Sequence, residues 1–162
     1  MSLEARPIDR VRAALDAAGV VTEARELPAS THTAAEAAAA IGCELAQIAK
    51  SVVFRGRESG HAVLVIASGP TRIDPALVGA LAGERVKIAA PEFVEEASGF
   101  PVGGVPPLAP PEALATVIDE RLAALEVVWA AAGTPNAVMR LTSKDLLALA
   151  GPEARVASVA AS

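Results

Sequence analysis

Lys50 is the residue whose chemistry sits least easily with its neighbours. It lies between Ile48-Ala49 and Ser51-Val52-Val53-Phe54, at the start of an apolar run that reads as a strand. A lysine there loses hydration unless an anion pairs with it. Two readings fit the context. One is an edge lysine that snorkels to water along its methylene stem. The other is a cation aimed into a cleft to meet a phosphate or a developing oxyanion. A second feature is Gly99-Phe100-Pro101-Val102-Gly103-Gly104-Val105-Pro106-Pro107. Adjacent glycines let a backbone approach a ligand closely and present N–H groups to it, and prolines would hold such a loop in place. A crowded turn between helix and strand fits the same residues. The third is Trp129-Ala130-Ala131-Ala132-Gly133-Thr134-Pro135, which is either a hairpin turn beneath a packed Trp or a pocket wall kept small for a compact side chain.

The other reactive residue types offer less. Cys43 is the single cysteine; one thiol forms no internal disulfide, and no Cys/His cluster has zinc spacing. It follows Gly42 without a basic neighbour and reads as a buried structural thiol. Ser51 and Ser68 have no His/Asp arrangement visible in the sequence that would make either a nucleophile. Thr31, His32 and Thr33 read as helix-start residues, and Asp74 as an N-cap. His61 and His32 fall in different elements. No G-x-G-x-x-G joins a strand to a helix, and there is no Walker A sequence. These residues call for no metal and no cofactor.

The elements that must position these residues are marked by dense Pro and Gly punctuation. Val11, Ala14, Leu15 and Ala18 follow helical spacing, so residues 7–18 form an amphipathic helix opened by Pro7 and stopped by Gly19. Val20 to Leu27 reads as a short strand. Thr33 and Glu36 make a capping box for a second helix that ends at Gly42. A short helix, 44–48, then delivers the chain to Lys50. Ser51 to Phe54 and His61 to Ala67 form a β-hairpin around the turn-like Arg55-Gly56-Arg57-Glu58-Ser59-Gly60. Asp74-Pro75 opens helix 75–82. Val86 to Ala89 is a strand, 91–98 a helix closed by Gly99, and 99–111 a loop with a short extended stretch. Leu114 to Ile118, Glu126 to Ala131 and Ala137 to Leu141 are further strands. Thr142 or Ser143 caps a last helix, 143–149, stopped by Gly151-Pro152. The sum is an α+β fold with short strands and outer helices.

The 162 residues suit one domain over 1–162, with its core from about residue 8 to 151 and residues 153–162 as a loosely held tail. Aromatics are 2%, so the core must be built from Ala, Val, Leu and Ile. The formal net charge of -5 is wrong for a protein that coats DNA or RNA, because neutralised phosphates supply most of that affinity. It leaves room for one nucleotide end in a local basic pocket. No apolar run reaches the length of a membrane span. The opening residues lack a basic segment followed by an apolar one, so no secretory signal is expected. Together with the lone thiol, this points to the cytoplasm.

The three features together resemble the YbaK/EbsC proteins. Ile48-Ala49-Lys50-Ser51-Val52-Val53-Phe54 looks like their lysine strand, and Gly99 to Pro107 resembles their glycine loop, often written GYxxGGxxP. Trp129 to Gly133, followed by Leu141-Thr142-Ser143-Lys144-Asp145-Leu146, resembles their C-terminal strand, glycine turn and closing helix. The family is similar to the editing insertion domain of bacterial prolyl-tRNA synthetases. The resemblance implies a mixed, mainly antiparallel sheet curled as an open barrel with helices packed around it. It implies hydrolysis of the ester between a wrong amino acid and tRNA, most often tRNA-Pro, with the 3′ acceptor end as partner and prolyl-tRNA synthetase as a second candidate partner. Lys50, Gly103 and Gly104 would form the catalytic set. Ser51, Phe100, Pro106, Ala131, Ala132 and Gly133 would bind substrate. Cysteinyl-specific members tend to have Ser before the glycine turn, where this chain has Ala131 and Ala132. The chain thus looks closer to the group acting on Ala, 2-aminobutyrate, Ser or Thr. A catalytically silent adaptor for the tRNA end or the synthetase, and a hydrolase of free aminoacyl esters, are the alternatives.

Overall fold

A computed structural model describes residues 6–28 and 33–162. The elements are α1 (Pro7–Ala18), β1 (Ala24–Glu26), α2 (Ala34–Ile41), a 3-10 turn (Leu45–Gln47), β2 (Ile48–Gly56), β3 (Ala62–Ser68), α3 (Pro75–Ala82), β4 (Val86–Ile88), α4 (Pro91–Ser98), β5 (Ala115–Asp119), α5 (Glu120–Ala123), β6 (Val127–Ala131), β7 (Ala137–Thr142), α6 (Ser143–Ala150) and β8 (Arg155–Ala157). Local chemistry accounts for most boundaries. Gly19, Gly42, Gly83 and Gly99 end their helices in the left-handed conformation. Thr33 with Glu36, and Thr142 with Asp145, form reciprocal capping boxes. Asp74 caps α3 through the Ala76 N–H at 2.9 Å.

The strands join in one sheet in the order β1-β7-β6-β2-β3-β5-β8, with β4 also paired to β2. The β1/β7, β2/β3, β2/β4 and β6/β7 ladders are antiparallel; β2/β6, β3/β5 and β5/β8 are parallel. No ladder joins β1 to β8, so the sheet stays open. It is the mixed, mainly antiparallel α+β architecture that the family resemblance implies. β3 is buried along its whole length because both faces are covered. Leu64 and Ile66 pack with α1, α4 and α6 through Val11, Leu15, Val94 and Leu146. Val63, Val65 and Ala67 pack on the other side with Val78 of α3 and Val159. Among the described residues no helix is long and apolar enough to cross a membrane.

Three readings of the sequence need correction. Of the strand expected over Val20 to Leu27, only Ala24–Glu26 pairs, against β7; Val20 is instead buried at the end of α1. Helix α5 stands where no element was expected. Residues 153–162 are not a loose tail: β8 pairs with β5 through Val117↔Arg155, Ile118↔Val156 and Asp119↔Ala157. Val159 is fully buried, and its carbonyl accepts the Asp74 N–H at 2.8 Å. Thr31 and His32, read as helix-start residues, lie outside the described residues.

Candidate active site

Lys50 is the third residue of β2, opposite Ala67 of β3 and next to the stretch where β2 runs parallel to β6 (Ile48↔Trp129, Ala49↔Ala130). Its ammonium neither snorkels freely nor sits unpaired. Nζ donates to the Thr71 carbonyl at 2.7 Å and the Gly69 carbonyl at 3.0 Å. An ammonium has three N–H groups, so one is unspent among the described residues. The group is half-buried; burial pushes its pKa below the ordinary lysine value, and the negative charge of Asp119 partly opposes that.

Lys50 lines a cavity of about 210 Å³ between β2, β6, β7, α2 and the 99–111 loop. Ser51, Gly103, Val105, Trp129, Ala131 and Pro135 share its wall. The Ser51 hydroxyl oxygen is buried there without a hydrogen-bond partner among the described residues. Most buried hydroxyls find one. The Arg25 guanidinium lies over that wall, 4.9 Å from the centre of the Trp129 ring.

Four of the nine residues named from the sequence therefore meet in one cavity: Lys50, Ser51, Gly103 and Ala131. The other five do not line it. Phe100 is buried in the core under the Arg10 guanidinium, 4.5 Å from its ring centre. Pro106 is buried, and Ala132 is wholly buried with its N–H on the Ala137 carbonyl at 2.8 Å. Gly104 and Gly133 are packing glycines. The Gly133 N–H donates to the Gly104 carbonyl at 2.9 Å. A Cβ on Gly104 would lie 2.7 Å from the Gly133 oxygen, and one on Gly133 2.8 Å from the Pro7 carbonyl. The Gly104 N–H is spent on the Pro101 carbonyl at 2.9 Å. Gly103 differs: it has φ +86° and its N–H has no partner among the described residues, and the same is true of the Val105 N–H.

This lysine strand, glycine loop and small-residue turn converge in a stretch that matches a known family. Residues 28–149 match the family described as "Aminoacyl-tRNA editing domain". The chain belongs to that family. Its relatives include YwhH of Bacillus subtilis (strain 168), an uncharacterized protein 33% identical over 121 residues, covering 75% of this chain and 76% of that protein. Two solved structures superpose over nearly the full length. One, a scaffold protein from computational epitope backbone grafting, has a TM-score of 0.88 and 42% identity, covering 98% of this chain and 100% of that one. The other, described as "a putative trans-editing enzyme for prolyl tRNA synthetase", has a TM-score of 0.87 and 45% identity, covering 99% and 100%.

In this editing domain one charged residue beside the site escaped the sequence reading. Asp119 ends β5 and is fully buried. Its Oδ2 accepts from the Thr71 hydroxyl at 2.7 Å and the Ser68 N–H at 3.1 Å, and its Oδ1 accepts from the Arg121 N–H at 3.0 Å. The signal was an aspartate closing the apolar run Ala115-Thr116-Val117-Ile118, the mirror of a lysine opening one. Cys43 is half-buried, which pushes its thiol pKa up; it does not line the cavity.

Proposed function

We propose that the chain is a trans-editing hydrolase that cleaves the ester of mischarged aminoacyl-tRNA, with tRNA-Pro carrying a small wrong amino acid as its substrate. The observation that carries this reading is the Lys50 ammonium, fixed by two carbonyls on the wall of a small cavity with one N–H to spare. A phosphate or the terminal ribose at the 3′ end suits that donor. A cavity of about 210 Å³ walled by Ala131 and Val105 suits a compact side chain. The likeness to a solved structure described with prolyl tRNA synthetase supports tRNA-Pro as the carrier.

The reaction needs no protein nucleophile. Water attacks the ester carbonyl carbon, and the bond from that carbon to the ribose oxygen breaks. The ribose hydroxyl takes a proton, and the free amino acid leaves. The 2′/3′ hydroxyl beside the ester can assist the water. The unspent N–H groups of Gly103 and Val105 are the donors available to the tetrahedral oxyanion. The Ser51 hydroxyl, orphaned in the free protein, is available to the bound aminoacyl group.

The test is deacylation of tRNA-Pro charged with Ala, Cys, Ser, Thr or 2-aminobutyrate, with Pro as control. One wrong amino acid should be lost quickly and Pro spared. Lys50→Ala should lower kcat/KM by at least about 100-fold, the scale of a reacting group held about an ångström out of place. Full activity in Lys50→Ala would remove Lys50 from the reaction. Binding of the tRNA end without cleavage of any ester would make the chain an adaptor.

A further inference from the structure

The Lys50 ammonium is held by main-chain carbonyls of one short turn, Ser68-Gly69-Pro70-Thr71, so whatever fixes that turn fixes the cation. The turn is clamped from two sides. On one side Gly69 packs against the Leu45 carbonyl so closely that no Cβ would fit. On the other stands Asp119, whose Oδ2 receives both the Ser68 N–H and the Thr71 hydroxyl. All three partners of this carboxylate can donate, and no cation lies within ion-pairing distance of it among the described residues. Burying a carboxylate without a direct ion pair is expensive, and a neutral side chain could tie the same turn. A charge at that place is accounted for by the cation on the far side of the turn. Asp119 closes β5, one strand beyond β3 from Lys50, and its negative charge is the one that acts on the Lys50 ammonium.

We propose that Asp119 is a positioning residue that acts through the 68–71 turn to set the place of the Lys50 ammonium in the cavity. Its kinetic consequence rests on the deacylase reading above; its structural consequence does not. With Asp119 in place the carbonyls of Gly69 and Thr71 point at Nζ, and the negative charge behind them opposes the loss of the Lys50 proton. The sign follows directly: burial lowers the Lys50 pKa and Asp119 raises it. Removing the Asp119 charge must lower it further, so a reaction needing the ammonium fails at lower pH.

The chain has three lysines, Lys50, Lys87 and Lys144, so 13Cε-lysine NMR resolves the Lys50 titration in the whole protein. In Asp119→Asn the Lys50 midpoint should move to lower pH, and the alkaline limb of kcat should move with it. Below that limb kcat should fall about 100-fold, as for a group displaced by an ångström. Thr71→Val keeps the charge and removes one tie; it should change the Lys50 13Cε shift with a smaller loss of kcat, and it decides the matter where Asp119→Asn does not fold. A folded Asp119→Asn in which neither the Lys50 midpoint nor its 13Cε shift moves overturns the proposal, even if its melting temperature drops, because a tie that stabilises the turn without placing the ammonium would behave so. If the wild-type protein cleaves no mischarged tRNA, the deacylase reading falls, and the NMR titration still decides the link between Asp119 and Lys50.

Discussion

The Ser51 hydroxyl is buried at the cavity wall with nothing among the described residues to bond to. Leaving a buried hydroxyl unsatisfied costs about 1–3 kcal/mol. Ser51→Ala should therefore raise the stability of the free protein by about 1 kcal/mol, or about 2–4 °C in Tm for a chain of this size. On the proposed deacylase reading, the same variant should raise KM for the mischarged substrate, because a bound aminoacyl group would supply the partner the hydroxyl lacks. Thermal unfolding with steady-state deacylation checks both halves; a lower Tm would mean that the hydroxyl already has a partner. Residues of this kind were partly legible in the sequence. A lysine opening an apolar strand announces its cost, and that cost led to Lys50. Motif membership alone could not separate Gly103, on the cavity, from Gly104 and Gly133, which let two loops and Pro7 approach one another. That difference is set by contacts between segments distant in sequence. Asp119 left a signal as an aspartate closing an apolar run, but its role was not legible for the same reason, since its partners Thr71 and Ser68 lie 48 and 51 positions back along the chain.

At the scale of elements, whatever is decided locally was readable. Helix ends followed from Pro7, Gly19, Thr33, Asp74 and Gly99, whose caps act within one turn. The β2/β3 hairpin followed from two Val-rich runs about a turn-like hexapeptide. Elements held only by distant partners were not. β8 is three residues long, too short to show a period, and its partner β5 runs parallel to it across α5 to α6. Gly151-Pro152 therefore looked like the end of the folded chain. In the structure that last stretch closes the second core, where Val159 packs with Val63, Val65 and Val78, and the Arg155 guanidinium donates to the Leu81 carbonyl. Removing residues 153–162 should cost more than the about 1.5–3 kcal/mol of one buried valine, since the β8 ladder is lost as well. Val159→Ala alone should cost about 2 kcal/mol. Urea unfolding measures both. A truncated chain as stable as the full one would mean that the β8 ladder contributes nothing to stability.

At the scale of the whole molecule, the formal charge of -5 and the site must be compatible with a polyanionic substrate. Lys50 is the only cation lining the cavity among the described residues. An acidic chain with one aimed cation can grip the end of a tRNA and little of its length. Salt dependence measures that footprint, because each neutralised phosphate releases counterions. With one phosphate engaged at the single-strand slope of about 0.7 per contact, affinity should fall about threefold from about 50 to about 200 mM salt, against about 10³–10⁵-fold for six to ten contacts. Affinity for uncharged tRNA-Pro, followed by fluorescence anisotropy across that range, should show the shallow slope, and duplex DNA should compete poorly. A loss of about 100-fold or more would require a broad basic surface and not a grip at one terminus. The expected shallow slope has a mechanistic consequence: discrimination then rests on how the cavity receives the aminoacyl group, where one methylene is worth about 1–3 kcal/mol, and not on how tightly the tRNA body is held.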